Sequence, residues 1–181
     1  MRRITAVIAG SFWQGATERG LAEGFRRLGW IVHEIDQRDF GLGSYGHGLQ
    51  NLLARALSGS ASASYRAAVR KACRRLKPDV FFTVKGSALT AELLSEIRSG
   101  GTFAVMYYPD FHFSYASLDL SSFHEYDLFV TTKSFQKNYL ALLLGSEQVE
   151  YVPHGYSSNT HLPLRNGWSE QHYGCDVLYC G

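Results

Sequence analysis

A chain of 181 residues has room for one compact domain, or one and a half small ones. With 45% hydrophobic and 14% aromatic residues it can bury a substantial core, which excludes a disordered or collagen-like chain. Lys and Arg number 18 against 16 Asp and Glu, and the resulting charge of +2 calls for no nucleic acid or other polyanionic partner.

The chain alternates strand and helix. Met1-Arg2-Arg3 followed by an apolar run imitates a signal peptide, but Ile4–Ala9 is brief and ends in Gly10-Ser11-Phe12-Trp13, so it reads as a first core strand. Its continuous apolar character is that of a strand covered on both faces. A turn over Gly10–Gly15 leads to a helix over Thr17–Leu28, stopped by Gly29, and then to a strand over Ile31–Ile35. A glycine-rich loop precedes a helix over Leu49–Leu57. Ser58–Ser64 is low-complexity and reads as mobile, and a second helix, Tyr65–Leu76, follows, stopped before Pro78. Asp79–Val84 is a strand, Thr90–Arg98 a helix, and Phe103–Tyr108 a strand. A long loop over Pro109–Glu125 reaches a strand at Leu128–Thr132. Ser134 is placed to cap a helix over Phe135–Leu144, and Val149–Val152 follows as a sixth strand. Such repetition predicts an α/β fold with a doubly wound, mostly parallel sheet in a three-layer sandwich.

Residues 1–155 form one domain on this reading, and the polar, turn-rich stretch 156–175 is a linker. Asp176-Val177-Leu178-Tyr179-Cys180-Gly181 repeats the pattern of Ile4–Gly10. It reads as the opening of a second α/β domain, with an added edge strand as the alternative.

Several chemistries lack their residues. Gly10 and Gly15 have P-loop spacing, but Ala16-Thr17 stands where Lys-Ser/Thr is required. A dinucleotide fingerprint would need glycine where Phe12 stands, which leaves Asp36 a weak ribose ligand. Receiver-type phosphoacceptor chemistry, a GxSxG elbow and an HExxH helix are all missing. Among the seven histidines none pairs at helical metal spacing, so no metal site is expected. Three cysteines without CxxC spacing suggest neither a disulfide framework nor a zinc knuckle, and a cytoplasmic setting is the default.

What remains lies where this fold class holds ligands, beyond the carboxyl ends of the strands. After the first strand, Gly10, Trp13, Gly15, Ala16 and Glu18 surround a turn that a ligand can approach closely, with a helix N-terminus behind it. The plainer reading is a glycine turn with Glu18 favouring the helix dipole. After the third strand, Lys85-Gly86 offers a cation to phosphate or carboxylate, or simply a solvated lysine. After the fourth, Tyr108, Asp110 and His112 sit in an aromatic run suited to stacking on sugar rings. Asp110 or His112 could serve as general base; otherwise Pro109-Asp110 begins a turn over a small core. After the sixth come His154 and Gly155, the glycine suggesting a positive φ.

The segment from His154-Gly155 to Pro163 resembles the interdomain segment of GT-B glycosyltransferases, where Asn-Gly-Val-Asp precedes Phe-x-Pro. Gly155 and Pro163 fall in register, while His154, Tyr156, Ser157 and His161 depart. These departures, with Lys77-Pro78-Asp79-Val80, Val84-Lys85-Gly86, Tyr126-Asp127 and Thr131-Thr132, look like the family 1-like or spore-maturation (CgeB-like) branch. The resemblance spans nearly the whole chain, but only as one half of a GT-B fold: the amino-terminal, Rossmann-like, acceptor-side domain. It implies a transferase of glycan biosynthesis that moves sugar from a nucleotide-sugar donor, held by a missing carboxy-terminal domain, to a sugar or glycan acceptor. No metal or cofactor would be bound by this domain alone. Gly15 and Ala16 would lie near the transferred sugar, Asp110 and His112 in the acceptor pocket, and His154-Gly155 at the hinge wall. The rival reading is a stand-alone α/β binding or regulatory module without catalysis.

Arg66, Arg70, Arg74 and Lys77 share one face of the helix over residues 65–76, opposite Tyr65, Val69, Cys73 and Leu76. A basic amphipathic helix can dock peripherally on an anionic membrane, although such a run is more often a solvated face.

Overall fold

The computed structural model describes residues 2–42, 49–113 and 119–155, with only the backbone of 49–58. The linker over 156–175, the strand over 176–181 and Pro163 therefore lie outside the described residues.

Six strands form one all-parallel sheet: β1 (Thr5–Gly10), β2 (Ile31–Asp36), β3 (Val80–Val84), β4 (Phe103–Tyr108), β5 (Leu128–Thr131) and β6 (Val149–Tyr151). Their order is β2-β1-β3-β4-β5-β6. Parallel pairing holds throughout, with Ile8 opposite both Glu34 and Phe82, and Val105 opposite Leu128. Side chains alternate between two cores, as a pleated strand dictates. Val7, Phe81, Met106 and Phe129 join Val69, Leu93 and Leu140 on one face, from α2 (Leu49–Leu76), α3 (Ala91–Ser99) and α4 (Ser134–Leu144). Ile8, Phe82, Val105 and Val130 face the other way, with Ala22 of α1 (Thr17–Arg27). The fold is the expected doubly wound, Rossmann-like α/β sandwich.

The chain leaves β1 toward β2 over one face and returns over the other to β3. The strand order thus reverses between β1 and β3, and at such a switch the loops part and leave a crevice.

Three local expectations are corrected. Ser58–Ser64 is not a break: α2 runs unbroken through it. Ala and Ser continue a helix once it has begun, and the single Gly59 costs only about 1 kcal/mol, which the buried anchors Tyr65 and Val69 offset. Ser134 is the first helical residue and not the cap; Lys133 holds that position, without a side-chain bond. The loop after β4 contains a 3-10 helix, Leu120–Glu125, whose start is fixed by Asp119 accepting from the Ser121 amide at 3.0 Å.

Two aspartates of the family-like stretches serve the opposite rim. Asp79 accepts from the Thr5 amide at 2.8 Å and Asp127 from the Ala104 amide at 2.8 Å, each tying the start of its strand to the neighbour's. Among the described residues no helix is long and apolar enough to cross a membrane. In the basic helix, Tyr65, Val69 and Cys73 are buried in the core, and Arg70 and Arg74 both pair with Glu96. The apolar side of that helix is therefore committed inward, leaving only its basic side for any surface.

Candidate functional site

At the carboxyl rim a hollow of about 730 Å³ opens over the switch between β1 and β3. That is within the range of small-ligand sites. Trp13, Lys85, Asp110 and His154, from loops after four different strands, all line it. Gly15, Ala16 and Glu18 also line it, so the hollow gathers seven of the residues singled out from the sequence.

The β1–α1 turn forms its first wall. Gly15 has a φ of +91°, which glycine adopts without strain and which lets the Trp13 ring lie against it. The Ala16 amide donates to the Trp13 carbonyl at 3.0 Å, closing the turn. Trp13 is 55% exposed, so its indole is presented rather than buried. Glu18 is only 9% exposed, although it belongs to the first turn of a surface helix. Its Oε1 accepts from the Ser11 amide at 3.0 Å. Burial pushes the Glu18 carboxyl above its ordinary value, partly offset by the Ser11 amide and the Lys85 charge. Gly10 makes room for it: a Cβ there would stand 2.7 Å from both Cγ and Oε1 of Glu18.

The second wall follows β2. Gln37 donates to Ser11 Oγ at 2.6 Å, and Arg38 grips Asp36 through Nε and Nη2. Burial alone would raise the Asp36 carboxyl, but Arg38 outweighs it and holds the group below its usual range. Asp36 is thus an anchor for Arg38, which lines the hollow together with Gln37.

The third wall is the turn after β3, and here the backbone is strained. Lys85 and Ala88 have φ of 64° and 62°, which side-chain-bearing residues rarely adopt. Such strain clusters at binding and catalytic sites. The left-handed turn places Lys85 Nζ 2.7 Å from Asp110 Oδ2, across the mouth of the hollow. Gly86, at φ +63°, is required by packing, since a Cβ would stand 2.5 Å from Met106 Cε and 2.8 Å from the Tyr126 hydroxyl. It does not line the hollow, and Ser87 does.

The fourth wall comes from β4, β5 and β6 together. Gln136, buried in the first turn of α4, donates to the carbonyls of Asp110 at 3.1 Å and Phe111 at 2.9 Å. Its own Oε1 accepts from the Thr131 hydroxyl at 2.5 Å. The Thr132 hydroxyl donates to the Pro109 carbonyl at 3.1 Å and lies 3.2 Å from His154 Nε2. These bonds hold Asp110 and His154 in place from behind.

Other expected residues sit elsewhere. Tyr108 does not offer its ring to a ligand: β4 alternation turns it into the core against Phe113 and Phe129, and its hydroxyl donates to the His112 carbonyl. His112 is exposed and does not line the hollow, because that bond and the pinned Asp110 carry the loop past the rim. Gly10 contributes space rather than contact. Gly155 does not take the expected positive φ, and no atom would obstruct a Cβ there. Sequence reasoning missed Gln136, Gln37 and Arg38. Gln136 had a signal: it continues the buried stripe of Leu140 and Leu144 at four-residue spacing, a polar residue on an inward face.

Among the described residues no group of His, Cys, Asp or Glu could hold a metal ion. No protein-family model matches the chain, and no curated protein matches it.

Proposed function

We propose that this chain is the acceptor-binding, amino-terminal lobe of a glycosyltransferase of the GT-B kind. The observation that carries the reading is the convergence of Trp13, Lys85, Asp110 and His154 on one hollow. An exposed indole beside fixed hydrogen-bonding groups suits a sugar, whose ring has an apolar face and a rim of hydroxyls. Asp110 accepts from a hydroxyl while Lys85 balances its charge, and His154 contributes a donor or acceptor from the far wall. In this reading the donor, a nucleoside diphosphate sugar, is brought by a second lobe that continues the chain from about Asp176. The acceptor hydroxyl is then oriented at the rim where the two lobes face each other, and Asp110 is the candidate to take its proton.

Saturation-transfer NMR of the 181-residue chain with a panel of methyl glycosides tests this. Saturable binding is expected, weakened about threefold to tenfold by Trp13→Ala, the size of a single aromatic contact. Failure of every glycoside to bind, or binding indifferent to both Trp13→Ala and Asp110→Asn, overturns the reading.

A further inference from the structure

In nucleotide-binding α/β folds, the turn after the first strand holds phosphate at the following helix N-terminus, where free amides and the helix dipole favour negative charge. Here a carboxylate of the chain itself lies over that turn. The N-cap of α1 is Ala16, which has no side chain able to accept from the first amides. Glu18, two residues on, instead folds its carboxylate back over the turn, where Ser11 N–H donates to it at 3.0 Å. Gly10 lacks the Cβ that would collide with this carboxylate at 2.7 Å. The side chain is nine-tenths buried yet lines the hollow. The nearby cation, Lys85, places its Nζ 2.7 Å from Asp110 Oδ2.

We propose that Glu18 is the specificity-determining residue of the crevice: it occupies the anion position of the β1–α1 turn, so that this turn accepts uncharged hydroxyl groups and rejects phosphate. A ligand phosphate entering here would meet a like charge in a poorly hydrated corner, whereas a hydroxyl can donate to the carboxylate's open lone pairs. This names the ligand class of the hollow as a neutral polyol and rests in part on the acceptor-lobe reading. The charged and titratable groups around Glu18 are Asp36 and Arg38 after β2, Lys85 after β3, Asp110 after β4, His154 after β6, and Tyr65 of α2. Arg38 pairs with Asp36 and Lys85 with Asp110, and the Lys85 charge offsets the burial of Glu18 only in part.

A hydroxyl that donates to Glu18 binds the ionised form better, so glycoside affinity rises with pH above the ordinary glutamate value of 4.5 and then levels off. Each unit by which the ligand lowers the Glu18 pKa gives about a tenfold rise in affinity. Two measurements decide the matter. Titration with inorganic pyrophosphate at neutral pH, followed by phosphorus NMR, should show no saturable binding to the wild type. Binding at least about tenfold tighter should appear in Glu18→Ala and in Glu18→Gln, the latter keeping the shape and the Ser11 bond. Glycoside titrations across pH should show the rise in the wild type and a flat profile in Glu18→Gln. Pyrophosphate binding the wild type as tightly as the variants overturns the proposal, as does a wild-type pH profile surviving in Glu18→Gln. If instead no glycoside binds any form while the pyrophosphate switch appears, the acceptor-lobe reading fails and the role of Glu18 in excluding phosphate stands.

Discussion

Gly10→Ala is the sharpest probe of how the crevice is built. The new methyl would lie 2.7 Å from Cγ and Oε1 of Glu18 and 3.1 Å from Cδ, well inside the roughly 3.5–4.0 Å of a comfortable carbon contact. The backbone of β1 is held by β2 and β3 on either side, so Glu18 has to swing out into the hollow. That movement breaks the 3.0 Å bond from the Ser11 amide. A bond to a charged group is worth about 1.5–3 kcal/mol, part of which returns as the carboxylate regains water. The expected cost is therefore about 1–3 kcal/mol. With a urea slope of about 1–3 kcal/mol per molar, the unfolding midpoint should fall by about 1 M. The cause is isolated by a double-mutant cycle. Once Glu18→Ala has removed the obstacle, Gly10→Ala should cost at least about 1 kcal/mol less than it does alone. A coupling below about 0.3 kcal/mol would show that Gly10 does not exist to seat Glu18.

Gly86→Ala combines a positive φ with contacts of 2.5 and 2.8 Å to Met106 and Tyr126, and should destabilise by about 3 kcal/mol or more in the same assay. Lys85→Gly relieves a φ of 64° while removing a half-exposed ion pair worth under about 1 kcal/mol; stability should stay level or rise while glycoside affinity falls. Gln136→Ala frees the Asp110 and Phe111 carbonyls, and should speed amide exchange around residues 109–113 and lower affinity more than Phe111→Ala does. Burial keeps the Glu18 proton on the folded chain after the unfolded chain has released it near pH 4.5. The native state then binds more protons, so stability falls as pH rises through the window above 4.5, and Glu18→Gln should abolish that slope in pH-dependent urea melts.

Much of the candidate site was legible because its residues follow strands whose apolar runs are unmistakable. Ile4–Ala9, Phe103–Tyr108 and Leu128–Thr132 announce themselves by composition, and in a parallel sheet every strand ends at the same rim. Trp13, Lys85, Asp110 and His154 were therefore placeable before any contact was known. The misplaced residues show the limit of that logic. Tyr108 ends the fourth strand and Asp110 follows it by two residues, yet the strand is covered on both faces and keeps the tyrosine in the core, while the loop beyond carries the aspartate to the hollow. Asp79 and Asp127 belong to the stretches that carry the family resemblance, and they tie strand starts together at the other rim.

The alternation of apolar runs, glycine stops and helical stripes determined the α/β class, the six parallel strands and the loops that carry the crevice, because each of those signals lies within a few neighbouring residues. Tertiary structure alone decided that α2 runs through Ser58–Ser64, that the Glu18 carboxylate folds back against Gly10, that Lys85 meets Asp110, and that Gln136 pins the loop behind them. Most of those partners lie far apart along the chain, and a side chain's direction there depends on register, on left-handed turns and on which of several polar neighbours outbids water.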